Sequence, residues 1–363
     1  MGLKHRLKGI AREAYARLVW HTGLHRLIDR ASEPRLLILY GHCVDAPATN
    51  ASLDADMRIR PERLAEILRV LGRRYELVTV GEGVARLDGG APAGSMVALS
   101  MDDGYRDNLL DLVPLLEEID GRATVFLEGG AVARRELPWL HALRWLDRRH
   151  GADGLARRLA ERVPSARDAL EGIPAGGSNR LKRVLKYDAV PAERDRALRE
   201  LLAEEGEDPV ALNDELYLSV DEARRLAAHE RIEVGGHTVH HPVLSRLAPE
   251  AQRDEIGGGE AVLREFFGES EPADGGADLG TSGRTFAYPY GRRWDFDASA
   301  ADAARAAGYA SAVTTHAGVN VRSTDRYRLY RWPIHDGTRL HLVAAEASGA
   351  FELLRRFGVD LVE

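Results

Sequence analysis

The stretch Gly94-Ser95-Met96-Val97-Ala98-Leu99-Ser100-Met101-Asp102-Asp103-Gly104-Tyr105 decides the fold. Its apolar run, bounded by Gly94 and Gly104, reads as a buried strand. Asp102 and Asp103 then sit at the carboxyl end of that strand. Neighbouring side chains of an extended chain point in opposite directions, so the two carboxylates suit two tasks. One can hold a cation while the other faces a reacting water. Gly104 lets the backbone turn sharply without a Cβ penalty. The following residues, 108–119, are apolar at Leu109, Leu112, Val113, Leu116 and Ile119 and read as a helix.

Outward from this segment the chain alternates. Residues 36–40, 76–80, 123–127 and 232–234 have strand character, and 60–71 has helical periodicity. Alternation of this kind predicts an α/β protein with a parallel sheet, and ligands at strand carboxyl ends predict a site at a barrel mouth. The 363 residues, 44% of them hydrophobic, fit one large domain with additions. The strand at 232–234 leads through Gly235-Gly236 into His237-Thr238-Val239-His240-His241-Pro242. His237 and His241 are four apart. On a helical turn both imidazoles would share a face, within reach of a common ion at roughly 2.0–2.1 Å per Zn–N bond. His240 is out of phase with that face. Alone, Asp-Asp-Gly is often only a turn and His-x-x-x-His only a surface helix; the two together, each after a buried strand, point to metal-assisted hydrolysis.

These residues carry a family resemblance. The chain resembles the polysaccharide deacetylases of the NodB-homology type, carbohydrate esterase family 4, over roughly residues 35–340. Ser100 to Gly104 is similar to the family's Thr-Phe-Asp-Asp-Gly motif, and His237, Thr238 and His241 to its His-Ser/Thr-x-x-His motif. Ala287-Tyr288-Pro289-Tyr290-Gly291 partly meets the third motif, Arg-x-Pro-Tyr. The resemblance implies a distorted (β/α)7 barrel. It makes Asp102 the general base and Asp103, His237 and His241 the metal ligands, with Zn²⁺ the expected ion and Co²⁺ or Ni²⁺ alternatives. Tyr290, through its backbone N–H, together with Gly104 and Tyr105, is expected on the substrate and oxyanion side. The arginine that braces the family's catalytic aspartate falls at Ala287, so bracing is absent or supplied by Arg284, Arg292 or Arg293. The fourth motif has only a loose counterpart in Trp294-Asp295-Phe296-Asp297.

Two histidines compete for the general acid. His335 ends the last strand-like run, resembles the family's final Leu-x-His segment and has Asp336 beside it; His316 ends the preceding run. His335 is favoured for its place in the order of elements. His42, after the first strand, is expected as a substrate or supporting contact or as a structural residue. The parts predict removal of an N-acetyl group from an amino-sugar polysaccharide or glycan intermediate. An O-acetyl esterase, a deformylase on a lipid-linked glycan and a catalytically silent glycan-binding relative are the alternatives. A non-haem iron oxygenase also uses two histidines and a carboxylate, but has no evident use for Asp102.

Residues 1–30 carry seven Lys/Arg, at Lys4, Arg6, Lys8, Arg12, Arg17, Arg26 and Arg30, against Glu13 and Asp29. Leu3, Leu7, Ile10, Ala14 and Leu18 recur at helical spacing. This basic amphipathic helix is expected either on an anionic membrane surface or docked on the barrel wall. It has no continuous apolar core of a signal peptide. A barrel over 31–345 follows, with a helical insertion at about 134–213 and a C-terminal helix at 346–363. The segment 269–283, rich in Gly, Asp and Ser, is expected as mobile surface. A net charge of −7 argues against nucleic acid as partner. Cys43 is the only cysteine, so no intramolecular disulfide forms, and the expected location is cytoplasmic, peripheral at the inner membrane face. The sugar, its linkage and the oligomeric state are left open by the sequence.

Overall fold

The structure, a computed structural model, describes residues 3–44, 53–89, 94–267 and 284–361. The expected loop at 269–283 lies outside the described residues. Eight strands form one sheet: β1 (Leu36–Gly41), β2 (Glu76–Val78), β3 (Met96–Met101), β4 (Ala123–Leu127), β5 (Ile232–Gly236), β6 (Thr285–Ala287), β7 (Ser311–Val313) and β8 (Trp332–Pro333). Their order is β8-β1-β3-β4-β5-β6-β7, with β2 beside the first half of β3, and every pair is parallel. The sheet curls back on itself because Val313 of β7 also bridges Leu329, just before β8. Thr314 N–H donates to Leu329 O, and Arg331 N–H to His316 O, across that seam. Seven strands therefore close a distorted (β/α)7 barrel, the expected fold, with β2 as an outer addition.

Strand alternation sorts the core. Leu36, Ile38, Met96, Ala98 and Phe126 point to one side and cluster with Ala287, Val313 and Leu329; Leu37, Leu39, Val97, Leu99 and Met101 point to the other and pack on the surrounding helices. The helix at 108–119 begins with a wide π-type turn over Asn108–Leu112 and continues as Val113–Ile119. Between β4 and β5 stand seven helices and a short 3₁₀ turn from Gly129–Arg134 to Pro209–Leu216, followed by Val220–Ala227. The stretch from Trp139 to Leu202 has its own hydrophobic cluster, including Leu146, Leu155, Leu159, Leu181, Leu185, Leu198 and Leu201. The N-terminal helix Leu3–His21 docks Ala16 and Val19 against the chain and packs on the helix Leu340–Ala347, while Leu7, Ile10 and Leu18 stay exposed. The C-terminal region forms two helices, Leu340–Ala347 and Ala350–Arg356, rather than one over 346–363. Gly349, at φ 79, breaks between them.

Candidate active site

A cleft of about 1160 Å³ opens at the carboxyl ends of the strands. Tyr40 and His42 reach it from the end of β1, Asp102 and Asp103 from β3, His237 and His241 from β5, and Tyr290 from the turn after β6. Asp103 Oδ1 lies 3.3 Å from His237 Nε2 and 3.6 Å from His241 Nε2, and the two Nε2 atoms are 3.1 Å apart. Three donors about 2.05 Å from one tetrahedral ion stand roughly 3.3 Å apart, so this triangle has the right size. His237 Nδ1 donates to Ala287 O at 2.7 Å, which leaves Nε2 as the lone-pair nitrogen facing its partners. Asp103 Oδ1 is buried with no hydrogen-bond partner among the described residues, an acceptor whose desolvation a cation would offset. The donor set fits a Zn²⁺-class ion.

The histidines converge for a reason other than the expected helical turn. Residues 237–243 are not helical. Thr238 (φ 62) and His241 (φ 51) turn the backbone through left-handed conformations, and Thr238 Oγ1 pins the turn by donating to His237 O and accepting from His241 N–H. Six described non-glycine residues have positive φ, and four of them are Asp103, Thr238, His241 and Tyr290. Backbone strain of roughly 1–3 kcal/mol each is thus concentrated at this one site. His240 points away, between Glu255 and Glu136.

Charges organise the rest. Burial pushes Asp103 up, but the histidines that face it, His237 foremost, outweigh burial and hold the carboxyl far below its usual range. Burial and the neighbouring His237 bring His241 down to about 3, which favours the neutral imidazole that ligates metal. Asp102 continues the face of Met96, Ala98 and Ser100 and meets Arg331. The guanidinium donates Nη1 to Oδ1 at 2.7 Å and Nη2 to Oδ2 at 2.9 Å, with both side chains buried. Burial raises the Asp102 carboxyl, and the Arg331 charge outweighs it, so the group stays an anion. Arg331 is itself oriented by Thr314 O and Ser100 Oγ and stacks under the Tyr40 ring.

Residues 179–312 match the family model for polysaccharide deacetylase, a span that includes His237, His241 and Tyr290 but not the two aspartates that the fold brings to them. This stretch of the chain is thus similar to part of a polysaccharide deacetylase domain. Its fold is similar to that of the Streptococcus pyogenes deacetylase PplD (TM-score 0.53, 16% identity, covering 87% of this chain and 99% of that one). IcaB from Ammonifex degensii is similar at TM-score 0.52 and 19% identity, over 87% and 98% of the two chains. A Bacillus cereus polysaccharide deacetylase gives 0.52 and 14%, over 87% and 69%. No curated protein matches the chain in sequence.

Within this fold several expected residues take other places. Tyr105 does not line the cleft: it is buried, its ring stacks on Tyr217 and its hydroxyl bonds His141 Nε2 at 2.8 Å. Gly104 (φ 81) also lies behind the site, where a Cβ would stand 2.8 Å from Leu127 Cδ2. Its role is the turn that presents Asp103. His335 is absent from the cleft lining; its Nδ1 accepts from Gly337 N–H, and Asp336 pairs with Arg60 rather than with the imidazole. His316 faces an adjoining pocket with Arg293 and Trp332. The three arginines expected to brace Asp102 do not, since Arg284 pairs with Glu260 and Arg292 and Arg293 stand at the rim.

Two residues were underrated in the sequence. Arg331 gives one signal, a lone cation inside the strand-like run Tyr330-Arg331-Trp332-Pro333-Ile334. His42 lines the cleft, its Nδ1 is buried without a hydrogen-bond partner among the described residues, and its carbonyl is held by Asn108 Nδ2 at 3.0 Å. Asp295, in the loose fourth motif, is buried and ties the insertion to the barrel through Tyr187 Oη and Lys186 Nζ.

Proposed function

We propose that the domain is a metal-dependent hydrolase that removes N-acetyl groups from an amino-sugar-containing glycan. The observation that carries this reading is the Asp103, His237 and His241 triangle standing beside an ionised, arginine-braced Asp102 in an open cleft. A divalent ion of the Zn²⁺ class held by the triangle supplies Lewis-acid charge and an acidified water. Asp102 takes the proton of the attacking water, and Arg331 keeps it available as an anion throughout the working pH range. Backbone donors near Tyr290 face the oxyanion. His42, rather than His335, protonates the departing amine, because it is the cleft histidine outside the ligand triangle. Products are acetate and a free amino sugar.

The test is acetate release from N-acetylglucosamine oligomers and O-acetylated glycans, with metal-loaded protein beside an Asp102→Asn variant of unchanged metal content. Release that the variant abolishes supports the reading. Oxygen consumption with ferrous iron and no acetate from any glycan would point to the oxygenase instead.

Placement at an anionic membrane face rests on the exposed Leu7, Ile10 and Leu18 of the basic N-terminal helix. Among the described residues no helix is long and apolar enough to cross a membrane.

A further inference from the structure

The helix Ser178–Tyr187 of the insertion forms one wall of the cleft. Leu181, Val184 and Leu185 bury it in the insertion's own core, and the opposite face presents Asn179, Arg180, Lys182, Arg183 and Lys186 to the cleft with no carboxylate among them. It stands close to the triangle: Lys186 Nζ lies 3.4 Å from the centre of the Tyr290 ring, whose centre is 4.5 Å from that of His241. Arg246 and Arg292 line the same cleft from the barrel side.

These cations divide into two groups. Lys182 is neutralised by Asp54 at 3.2 Å, and Lys186 by the buried Asp295 at 3.2 Å. Arg180, Arg183, Arg246 and Arg292 form no ion pair with any described residue. Arg246 donates to Tyr187 O at 2.6 Å, and Arg292 lies over the Trp294 ring. Four unpaired guanidiniums in one cleft are not a reflection of composition, because the chain as a whole carries −7. The carboxylates of the lining do not balance them: Asp102 is spent on Arg331 and Asp103 belongs to the ligand triangle, which leaves only Asp56 and Asp188. A guanidinium's planar fork matches the paired oxygens of a phosphate or carboxylate, which a neutral sugar lacks.

We propose that the glycan accepted by this cleft bears an oxyanion, a phosphate diester or diphosphate or a uronate carboxylate, seated on Arg180, Arg183, Arg246 and Arg292. The inference rests on the deacetylase reading of the same cleft and names its substrate class. Arg180 and Arg183, one helical turn apart, present two forks from the insertion, and Arg292 closes on the anion from the turn after Tyr290. The insertion therefore acts as a charge filter.

Metal-loaded protein is titrated calorimetrically with inorganic pyrophosphate, with a tetrasaccharide alternating glucuronate and N-acetylglucosamine, and with the neutral N-acetylglucosamine tetramer. The variants are Arg180→Ala/Arg183→Ala and, from a separate element, Arg292→Ala, each checked for helix content and metal content. The expected result is tighter binding of one anion than of the neutral tetramer, weakened roughly tenfold or more in both variants. Whichever anion responds identifies phosphate or uronate as the source. Equal affinity for neutral and anionic probes in the wild type, or anion binding unchanged in the variants, as when pyrophosphate sits on the metal alone, overturns the proposal. Arginine-dependent anion binding in a protein that releases no acetate would leave this inference standing and count against the deacetylase reading.

Discussion

Replacing Arg331 with methionine would strand Asp102. The substitution keeps much of the stem's volume and removes two charge-assisted hydrogen bonds, of 2.7 and 2.9 Å, from a pair in which both side chains are buried. A buried carboxylate that loses its partner costs about 3–5 kcal/mol. Protonation limits that cost, and so the size of the effect depends on pH. In the wild type the Asp102 carboxyl lies below its usual range, so between pH 5 and 8 neither the folded nor the unfolded state takes up a proton there, and this group gives stability no slope. Without Arg331, burial is opposed mainly by the histidines and lifts the folded-state pKa above the unfolded value of about 3.9. The folded variant then binds more protons than the unfolded chain over that interval, and its stability falls as pH rises through it, by up to about 1.4 kcal/mol per unit. Urea denaturation of both proteins at pH 5, 6, 7 and 8 reads this directly, with the loss smallest at pH 5 and growing toward neutrality. The acid limb of acetate release moves to higher pH by the same interval. A loss of stability that does not vary with pH, together with an unmoved acid limb, would refute the assignment of Arg331 as the counter-charge of Asp102.

Removing the central ligand with Asp103→Ala should abolish stoichiometric metal in elemental analysis; retention of one ion per chain would place the metal elsewhere. His42→Gln should lower kcat by roughly 10²-fold or more at unchanged metal content, and full activity in that variant would return the acid to another group. Gly236→Ala would place a Cβ 1.9 Å from Tyr309 Oη, one residue before His237, and overpacking of this kind costs about 1–3 kcal/mol or more, visible as a lowered urea midpoint. Replacing the exposed Leu7, Ile10 and Leu18 with glutamate should abolish binding to vesicles containing anionic lipid while the melting temperature changes little; undiminished vesicle binding would end the membrane assignment.

What could be read from the sequence was what is local. The run Met96 to Met101 and its two aspartates carry strand, phase and turn within ten residues, and the histidine pair after Gly235-Gly236 announces candidate ligands by type and spacing. The reason given for that pair was wrong in detail, because Thr238 and His241 adopt left-handed backbone conformations that no periodicity encodes. Arg331 was missed because its meaning lies in a partner 229 residues away. His335 was preferred over His316 on the order of elements, yet barrel closure decides which strand end faces the cleft, and neither histidine lines it. Tyr105 lies two residues after the candidate ligand Asp103, but the positive φ at Asp103 and Gly104 turns its side chain toward Tyr217 and His141. The helical insertion was visible in composition, whereas the cationic wall it offers the cleft depends on which side of Ser178–Tyr187 the core claims.

The pairing of Asp102 with Arg331 also bears on biosynthesis. Domains generally fold from the N-terminus during synthesis, at roughly 5–20 residues per second. The ribosome releases β3 long before β8, so a nascent barrel carries the carboxylate of Asp102 in its wall without the guanidinium that compensates it. The seam through residues 329–333 then closes the barrel and supplies the counter-charge of Asp102 together. A chain arrested before that seam would hold Asp103, His237 and His241 and still lack the guanidinium that keeps Asp102 an anion.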